Sequence, residues 1–394
     1  MTNIICSGFK AAGVAAGLKK TGKKDLGLMV SQVPATVAGV FTKNQVKAAP
    51  VILDRRRIKT GVCQAIIVNS GNANCCTGEQ GLRDAETMAN LAASELGISE
   101  DLVLVASTGV IGEPLPIEKI DAAIPALVDS LESQGIPDLA RSIMTTDTVP
   151  KMVSAQGVVD GKTFTVTGVA KGAGMIRPDM ATMLCFVCTD VKISSDVLKE
   201  ILVKGVNRSF NRITIDGDTS TNDTVLVMAN GLSGAVIQSP AQKDIFQKIL
   251  DEIFLDLAKQ LVRDGEGVTK LVEIMVRNAP SDSDAQKVAD TVAHSPLVKT
   301  AFFGEDANWG RIAGAVGRAG VQIDPYKIDV YFNDVQMVRA GMGQGKIVEA
   351  EATKVLKRPE FTVAIDLNSG SGSGSILTCD FSVDYVRINA NYRS

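Results

Sequence analysis

The sequence predicts a layered α/β (α+β) sandwich, and three observations carry that expectation. Glycine is abundant, 36 of 394 residues, while aromatic residues make up only 4%; this balance favours tight turns and close backbone approaches over aromatic stacking platforms. Short apolar runs of strand character alternate with amphipathic helical stretches along the chain. Asp160-Gly161, set between alternating segments, gives the strongest hairpin signal. The length allows two or three domains and a large core.

Composition narrows the function classes. Hydrophobic content of 45% and charged content of 22% are ordinary for a globular protein, and the formal net charge of -3 gives no reason to expect nucleic acid or an anionic membrane. The short basic runs Lys19-Lys20, Lys23-Lys24 and Arg55-Arg56-Arg57 read as solvated surface. The first residues lack a charged segment followed by an apolar one, and no apolar run approaches 20 residues, so a soluble, cytoplasmic protein is expected. The seven cysteines are scattered, as reduced thiols would be. Cys185 and Cys188 have C-x-x-C spacing but lie in a strand-like run, with a single histidine, His294, in the chain; a metal site is not expected. Adjacent Cys75 and Cys76 cannot readily form a disulfide with each other. Both pairs read as small buried residues.

Taken in order, the apolar runs at 26–30 and 36–41, with Pro34 between them, predict two strands joined by a turn. A third strand at 65–68 ends in Asn69-Ser70-Gly71-Asn72-Ala73-Asn74, a run dense in amides that could hold polar ligand groups or simply turn. Residues 81–96 place Leu82, Ala85, Met88, Ala89, Ala92 and Leu96 on one helical face, stopped by Gly97. A buried strand at 102–106 leads into Ser107-Thr108-Gly109. There a hydroxyl and backbone N–H groups are exposed together, which are the parts of an oxyanion hole, although the same turn is common without one. Helices are expected at 118–132 and 138–144, followed by the polar patch Thr145-Thr146-Asp147-Thr148, which leaves helix geometry at Pro150.

The hairpin at 158–166 delivers the chain to Lys171-Gly172-Ala173-Gly174-Met175 and onward to Thr182. Gly172, Gly174 and Pro178 make a loop, and Thr182 opens an apolar, strand-like segment at 183–189. A threonine there could serve as an ordinary hydroxyl nucleophile, or be freed at its own amine by cleavage of the preceding bond, which supplies a built-in base. On pattern alone, a Gly-rich turn feeding a buried strand is an ordinary turn. Next come a helix at 194–204 and an acidic, amide-rich run at 214–223 that lacks the ligand positions of an EF-hand and reads as a turn or substrate wall. A strand at 224–228 follows, then a long helix opening at Ser239-Pro240. That helix stops at Asp264-Gly265-Glu266-Gly267, where Glu266 is either an exposed loop carboxylate or, between two glycines, a group able to approach a ligand closely.

The shift to Pro280-Ser281-Asp282-Ser283-Asp284 marks a boundary between a main domain, 1–280, and a smaller C-terminal α/β domain, 281–394. The latter should contain strands at 327–332 and 361–367, a flexible Ser-Gly loop at 369–375 and a closing strand at 385–388 whose tail returns to line a site.

Several motifs hold a shared order: Gly8-Phe9-Lys10-Ala11-Ala12-Gly13, Val33-Pro34-Ala35-Thr36, Val68-Asn69-Ser70-Gly71-Asn72, Ser107-Thr108-Gly109-Val110-Ile111-Gly112, Lys171-Gly172-Ala173-Gly174, Met180-Ala181-Thr182-Met183-Leu184, Asp264-Gly265-Glu266-Gly267 and Tyr385-Val386-Arg387-Ile388-Asn389. With these the chain resembles the ornithine acetyltransferase, or glutamate N-acetyltransferase, family of cyclic arginine biosynthesis over nearly its whole length. The resemblance implies a sandwich of that family's type and self-cleavage between Ala181 and Thr182, giving an α chain, 1–181, and a β chain, 182–394, which pair as an α2β2 heterotetramer. It implies that Thr182 takes the acetyl group from N-acetylornithine and passes it to glutamate, with its freed α-amine as base. Thr108 and Gly109 would form the oxyanion hole, and Thr148, Lys171, Thr182, Glu266, Asn389 and Ser394 would bind substrate. No cofactor or metal is implied. Acetyl-CoA as a second donor stays open, since the chain carries no adenine-binding fingerprint. Two other readings share part of this pattern: an N-terminal nucleophile aminopeptidase or amidase, which passes the acyl group to water, and a non-catalytic metabolite-binding protein that stays uncut.

Overall fold

The computed structural model describes residues 5–177 and 183–391. Its contacts gather into two compact units, Met1–Asn211 with Asp218–Leu261, and Arg212–Gly217 with Val262–Ser394.

The first unit is built from β1 (Phe9–Val14), β2 (Leu26–Phe41), α1 (Ala49–Arg57), β3 (Val62–Asn72), α2 (Gly78–Leu96), β4 (Val103–Val110), α3 (Ile117–Asp129), α4 (Ile136–Ser142), β5 (Lys151–Val159), β6 (Lys162–Lys171), β7 (Leu184–Thr189), β8 (Lys192–Ile193), α5 (Ser195–Arg208), β9 (Thr224–Ala229), β10 (Val236–Ile237) and α6 (Pro240–Arg263). Its described residues form an eight-stranded sheet in the order β4-β3-β2-β9-β7-β6-β5, with β1 paired to β2. The pairs β3–β4 and β7–β9 are parallel and the other pairs of that order antiparallel. Alternate residues of β3 and β4 enter two separate cores. Ile66, Val68, Leu104 and Ala106 pack with Leu139, Ala140 and Ile143 of the α4 segment. Ala65, Ile67, Val103 and Val105 pack with Leu53, Met88 and Ile120 from α1, α2 and α3. Burial on both faces is why these strands read as unbroken apolar runs.

Three local expectations change. Residues 26–41 form one 16-residue strand whose pairing with β3 shifts register between Val30 and Ala35, so Pro34 sits in an irregularity and not in a turn. β3 continues to Asn72 and β4 to Val110, so the Asn-rich run and Thr108-Gly109 lie largely on strand ends rather than in loops. The hairpin is as expected: Asp160 and Gly161 take φ of 51° and 74° and join β5 to β6, with Val159 opposite Lys162.

The second unit contains β11 (Leu271–Ala279), α7 (Asp282–Ala293), α8 (Pro296–Phe303), α9 (Trp309–Gly317), β12 (Asp329–Phe332), β13 (Val335–Arg339), β14 (Met342–Gly343), α10 (Lys346–Leu356), β15 (Glu360–Asp366), β16 (Gly372–Cys379) and α11 (Val383–Ala390). Its described residues give a six-stranded sheet ordered β14-β13-β12-β15-β11-β16. Val272, Ile274 and Val276 of β11 share its core with Val288 and Val292 of α7 and with Ile365 and Ile376. Because β11 pairs with β15 and β16, it belongs to this unit, which begins ahead of the division expected after residue 280.

The Ser-Gly run is not a flexible loop. Most of it lies in β16, beneath α7, and a Cβ on Gly372 would stand 2.2 Å from the Ser281 carbonyl carbon, one on Gly374 2.8 Å from Gln286 N. The run has lost its side chains so that a helix can lie against the strand. The closing segment is likewise not a strand: Ser382 accepts a hydrogen bond from Tyr385 N at 3.2 Å and caps α11.

All seven cysteines are free thiols; Cys185 and Cys188 are buried in β7 and Cys75 is buried, but Cys76 is exposed, against expectation. Among the described residues no helix is long and apolar enough to cross a membrane.

Gly372→Ala should destabilise the protein by about 1–3 kcal/mol, the range for forcing extra volume into a packed site. Gly314→Ala, inside α9 with nothing within 4 Å of the added Cβ, should stabilise it by about 0.5–1 kcal/mol. Urea unfolding of both variants measures the contrast.

Candidate active site

The last residues of β4 are positioned by close backbone contact. Thr108 and Gly109 lie opposite Ser70 and Gly71 of β3, and Gly109 has φ of 136°. A Cβ there would stand 2.3 Å from the Gly71 carbonyl carbon and 2.5 Å from Asn72 N, so no other residue fits. The Asn-rich run is spent on holding this arrangement. Asn69 Nδ2 donates to Asn72 O, Asn72 Nδ2 to Pro114 O, and Asn74 Nδ2 to Gly81 O. Ser107 Oγ donates to Asn69 Oδ1, and Asn222 Nδ2 donates to both Ser107 O and Ala73 O at 2.7 Å. These amides brace the strand end, where the sequence left ligand binding open.

Lys171 ends β6 and is buried. Its Nζ donates to Thr145 Oγ1 at 2.8 Å and to Thr108 Oγ1 at 3.3 Å, and lies 4.0 Å from Asp147 Oδ2. Asp147 also faces Lys151, whose Nζ is 2.6 Å from Oδ1, with both side chains 0% exposed. The same carboxylate accepts from Gly172 N at 2.7 Å and Thr145 N at 2.9 Å. Burial pushes the Asp147 carboxyl up, but the Lys171 and Lys151 ammonium charges and the N–H of Gly172 outweigh it and hold it well below the usual carboxylate range.

A second buried carboxyl, Asp223, precedes β9. Its Oδ1 accepts from Met183 N at 3.0 Å, and among the described residues its Oδ2 has no partner. Burial pushes it well above the ordinary value, against the Met183 N–H and the Lys171 charge. Lys19 is pushed down to about 8, first by burial, with Lys171 adding to the fall and Asp25 opposing it. β7 begins beside Lys171, since Leu184 pairs with Lys171 on one side and Thr224 on the other.

In the second unit Glu266 is 7% exposed, and its Oε2 accepts from Asn389 Nδ2 on α11 at 2.7 Å. It is therefore not an exposed loop carboxylate. The expected residues thus form two groups, Thr108, Gly109 and Lys171 in the first unit and Glu266 with Asn389 in the second. Thr148 is exposed next to Asp147 in the chain. Ala181, Thr182 and Ser394 lie outside the described residues. Sequence reading assigned no role to Thr145, Asp147, Lys151 or Asp223. The polar patch at 145–148 was the one signal for the first two, and nothing in the sequence marks Lys151, at the head of a strand, as buried. Among the described residues no group of His, Cys, Asp and Glu could hold a metal ion.

A model of the ArgJ family matches residues 10–394. The chain belongs to the ArgJ family. It is 52% identical over 390 residues to the arginine biosynthesis bifunctional protein ArgJ of Syntrophotalea carbinolica, covering 98% of this chain and 99% of that protein. To the protein of the same name from Geobacter sulfurreducens it is 50% identical over 389 residues, again covering 98% and 99%. Among solved structures it is similar to the ornithine acetyltransferase of Mycobacterium tuberculosis complexed with ornithine, at 37% identity and a TM-score of 0.40, over 45% of this chain and 96% of that one. In this ArgJ chain the first group is a dense cluster of donors, a hydroxyl, an ammonium and strand-end N–H groups, of the kind that stabilises developing negative charge on oxygen.

The depressed Asp147 carboxyl stabilises the fold fully above the unfolded carboxylate value of about 4, and this contribution is lost as pH falls through the lower folded value. Urea unfolding from pH 7 to pH 2 should therefore show a steeper loss of stability below about pH 4 in the wild type than in a D147N/K151M double variant, which lacks the pair.

Proposed function

We infer that this chain is an acetyltransferase of arginine biosynthesis that moves the acetyl group of N2-acetyl-L-ornithine to L-glutamate through an acetyl-Thr182 ester. The observation that carries the reading is the Lys171–Thr108 contact at 3.3 Å beside Gly109, at φ of 136°, a donor cluster suited to an acyl-transfer oxyanion, in a member of the ArgJ family. Thr182 first attacks the Ala181 carbonyl, turning the amide into an ester, and water then releases an α chain, 1–181, from a β chain, 182–394. An α-amine ordinarily titrates at about 8, so the one freed on Thr182 takes the Oγ proton in the next attack. Oγ bonds to the acetyl carbon, ornithine leaves with its amine protonated, and the glutamate amine then attacks the ester, returning the oxygen to Thr182.

Thr108 Oγ and Gly109 N–H donate to the oxyanion in both half-reactions. Substrate α-carboxylates suit Lys171 and Thr148, while Glu266, braced by Asn389, suits the substrate ammonium; the C-terminal Ser394 completes this set. The word bifunctional in the relatives' names supports acetyl-CoA as a second donor for N-acetylglutamate synthesis, and no other cofactor enters. The processed chains assemble as an α2β2 heterotetramer in the cytoplasm.

Intact mass tests the reading. Wild-type protein should give two fragments starting at Met1 and Thr182, and Thr182→Ala one uncut chain. N-acetylornithine should lose its acetyl group rapidly only with glutamate present, and Thr108→Val should lower kcat by about 10²–10³, the usual loss of one oxyanion donor. Deacetylation indifferent to glutamate would instead mark a hydrolase, and an uncut, inactive wild type a binding protein.

A further inference from the structure

An ammonium group has only protons to offer, whereas a threonine hydroxyl has one proton and two lone pairs. In the Lys171–Thr108 contact the lysine is therefore the donor and Thr108 Oγ1 the acceptor. The Thr108 proton then points away from Lys171 and is left for another acceptor. What keeps the lysine in place is a carboxylate outside the expected site residues. Asp147 holds the backbone next to Lys171 through Gly172 N at 2.7 Å, and its Oδ2 stands 4.0 Å from Lys171 Nζ. It also fixes Thr145 through that residue's N–H at 2.9 Å, and Thr145 Oγ1 is the nearer acceptor of the Lys171 ammonium, at 2.8 Å. Lys151, buried and 2.6 Å away, locks the carboxylate from the other side.

We propose that Asp147 is a positioning residue for the oxyanion site: it clamps Lys171 against Thr108 Oγ1 and so directs the Thr108 proton, together with Gly109 N–H, to the developing oxyanion. Lys171 then has a task besides meeting a substrate carboxylate. The inference rests on the acetyl-transfer and self-cleavage reading above, and self-cleavage separates the two tasks of Lys171. Cutting the Ala181–Thr182 bond passes through an oxyanion but involves no substrate carboxylate, so a residue that only helps to bind substrate leaves its rate untouched.

The test follows self-cleavage during cell-free synthesis by intact mass, and kcat and KM of acetyl transfer in the processed enzyme. The variants are D147N, D147N/K151M and Thr145→Val, with folding checked by thermal unfolding. D147N leaves Lys151 without its partner; the double variant removes that stranded charge, and Thr145→Val leaves the ion pair intact. D147N and D147N/K151M should cleave at least about tenfold more slowly and lose kcat by a similar factor, with KM for N-acetylornithine within about threefold of wild type, the pattern of an interaction made in the transition state. Thr145→Val should slow cleavage about three- to tenfold, and it decides alone if the Asp147 variants do not fold. Folded variants that cleave at the wild-type rate, or lose activity through KM only, overturn the inference while leaving the reading of the function intact. A wild type that neither cleaves nor transfers acetyl overturns that reading, and the inference with it.

Discussion

The constraint on which the first unit depends is the burial of two lysines against one aspartate. Lys151 and Asp147 are fully shielded from water, and Lys171 is nearly so. A buried charge left unpaired costs several kcal/mol, and Asp147 offsets this by meeting two ammonium groups and two backbone N–H groups at once. This requirement ties the bend at 145–148 and the start of β5, neighbours in sequence, to the end of β6. It also fixes the geometry of the two hydroxyls, Thr145 and Thr108, that accept from Lys171.

The sheet order makes that meeting available. β6 and β7 run antiparallel with Lys171 opposite Leu184, and β7 runs parallel to β9 with Leu184 opposite Thr224. On the other side of β9 and β2, the parallel pair β3–β4 ends in Gly71 and Gly109. Asn222, just before β9, reaches across to Ser107 O, so the head of β9 is tied directly to the tail of β4. The run at 214–223 that looked like a turn or a substrate wall supplies these ties in its second half, with Asn222 and Asp223 acting as internal braces.

What the sequence revealed follows from the range of the interactions involved. The Asp160-Gly161 hairpin, the helix ending at Gly97 and the long helix opening at Pro240 depend on neighbours within one turn or two, and all were readable. Pro34 misled because a long strand can absorb a proline at a register shift, which depends on β3 rather than on the local residues. The Ser-Gly run misled for a related reason: its composition suits a flexible linker, and only the presence of α7 shows that the missing side chains make room. Thr108, Gly109, Lys171 and Glu266 were named as candidates from motif order; the structure brings the first three together in the first unit and sets Glu266 against Asn389 in the second. Asp147 and Lys151 were not candidates, because a charge pair buried by surrounding strands leaves no pattern in a single chain.

The same packing bears on how a chain could be cut ahead of an inner strand and keep its fold. β7 is flanked by β6 and β9, with six pairs to each, and Met183 is held at both ends of its peptide: its N–H by Asp223 Oδ1 and its carbonyl by Thr224 N. A break between 181 and 182 removes none of these bonds, since none involves that peptide: the β7–β9 pairs and the Met183 bonds lie on its C-terminal side, and the β6–β7 pairs would join the two pieces. The strand would stay in register, with Met183 held by the buried Asp223 carboxyl. A nucleophile made by cleavage needs that rigidity, because its hydroxyl must reach a carbonyl whose oxygen lies against fixed donors.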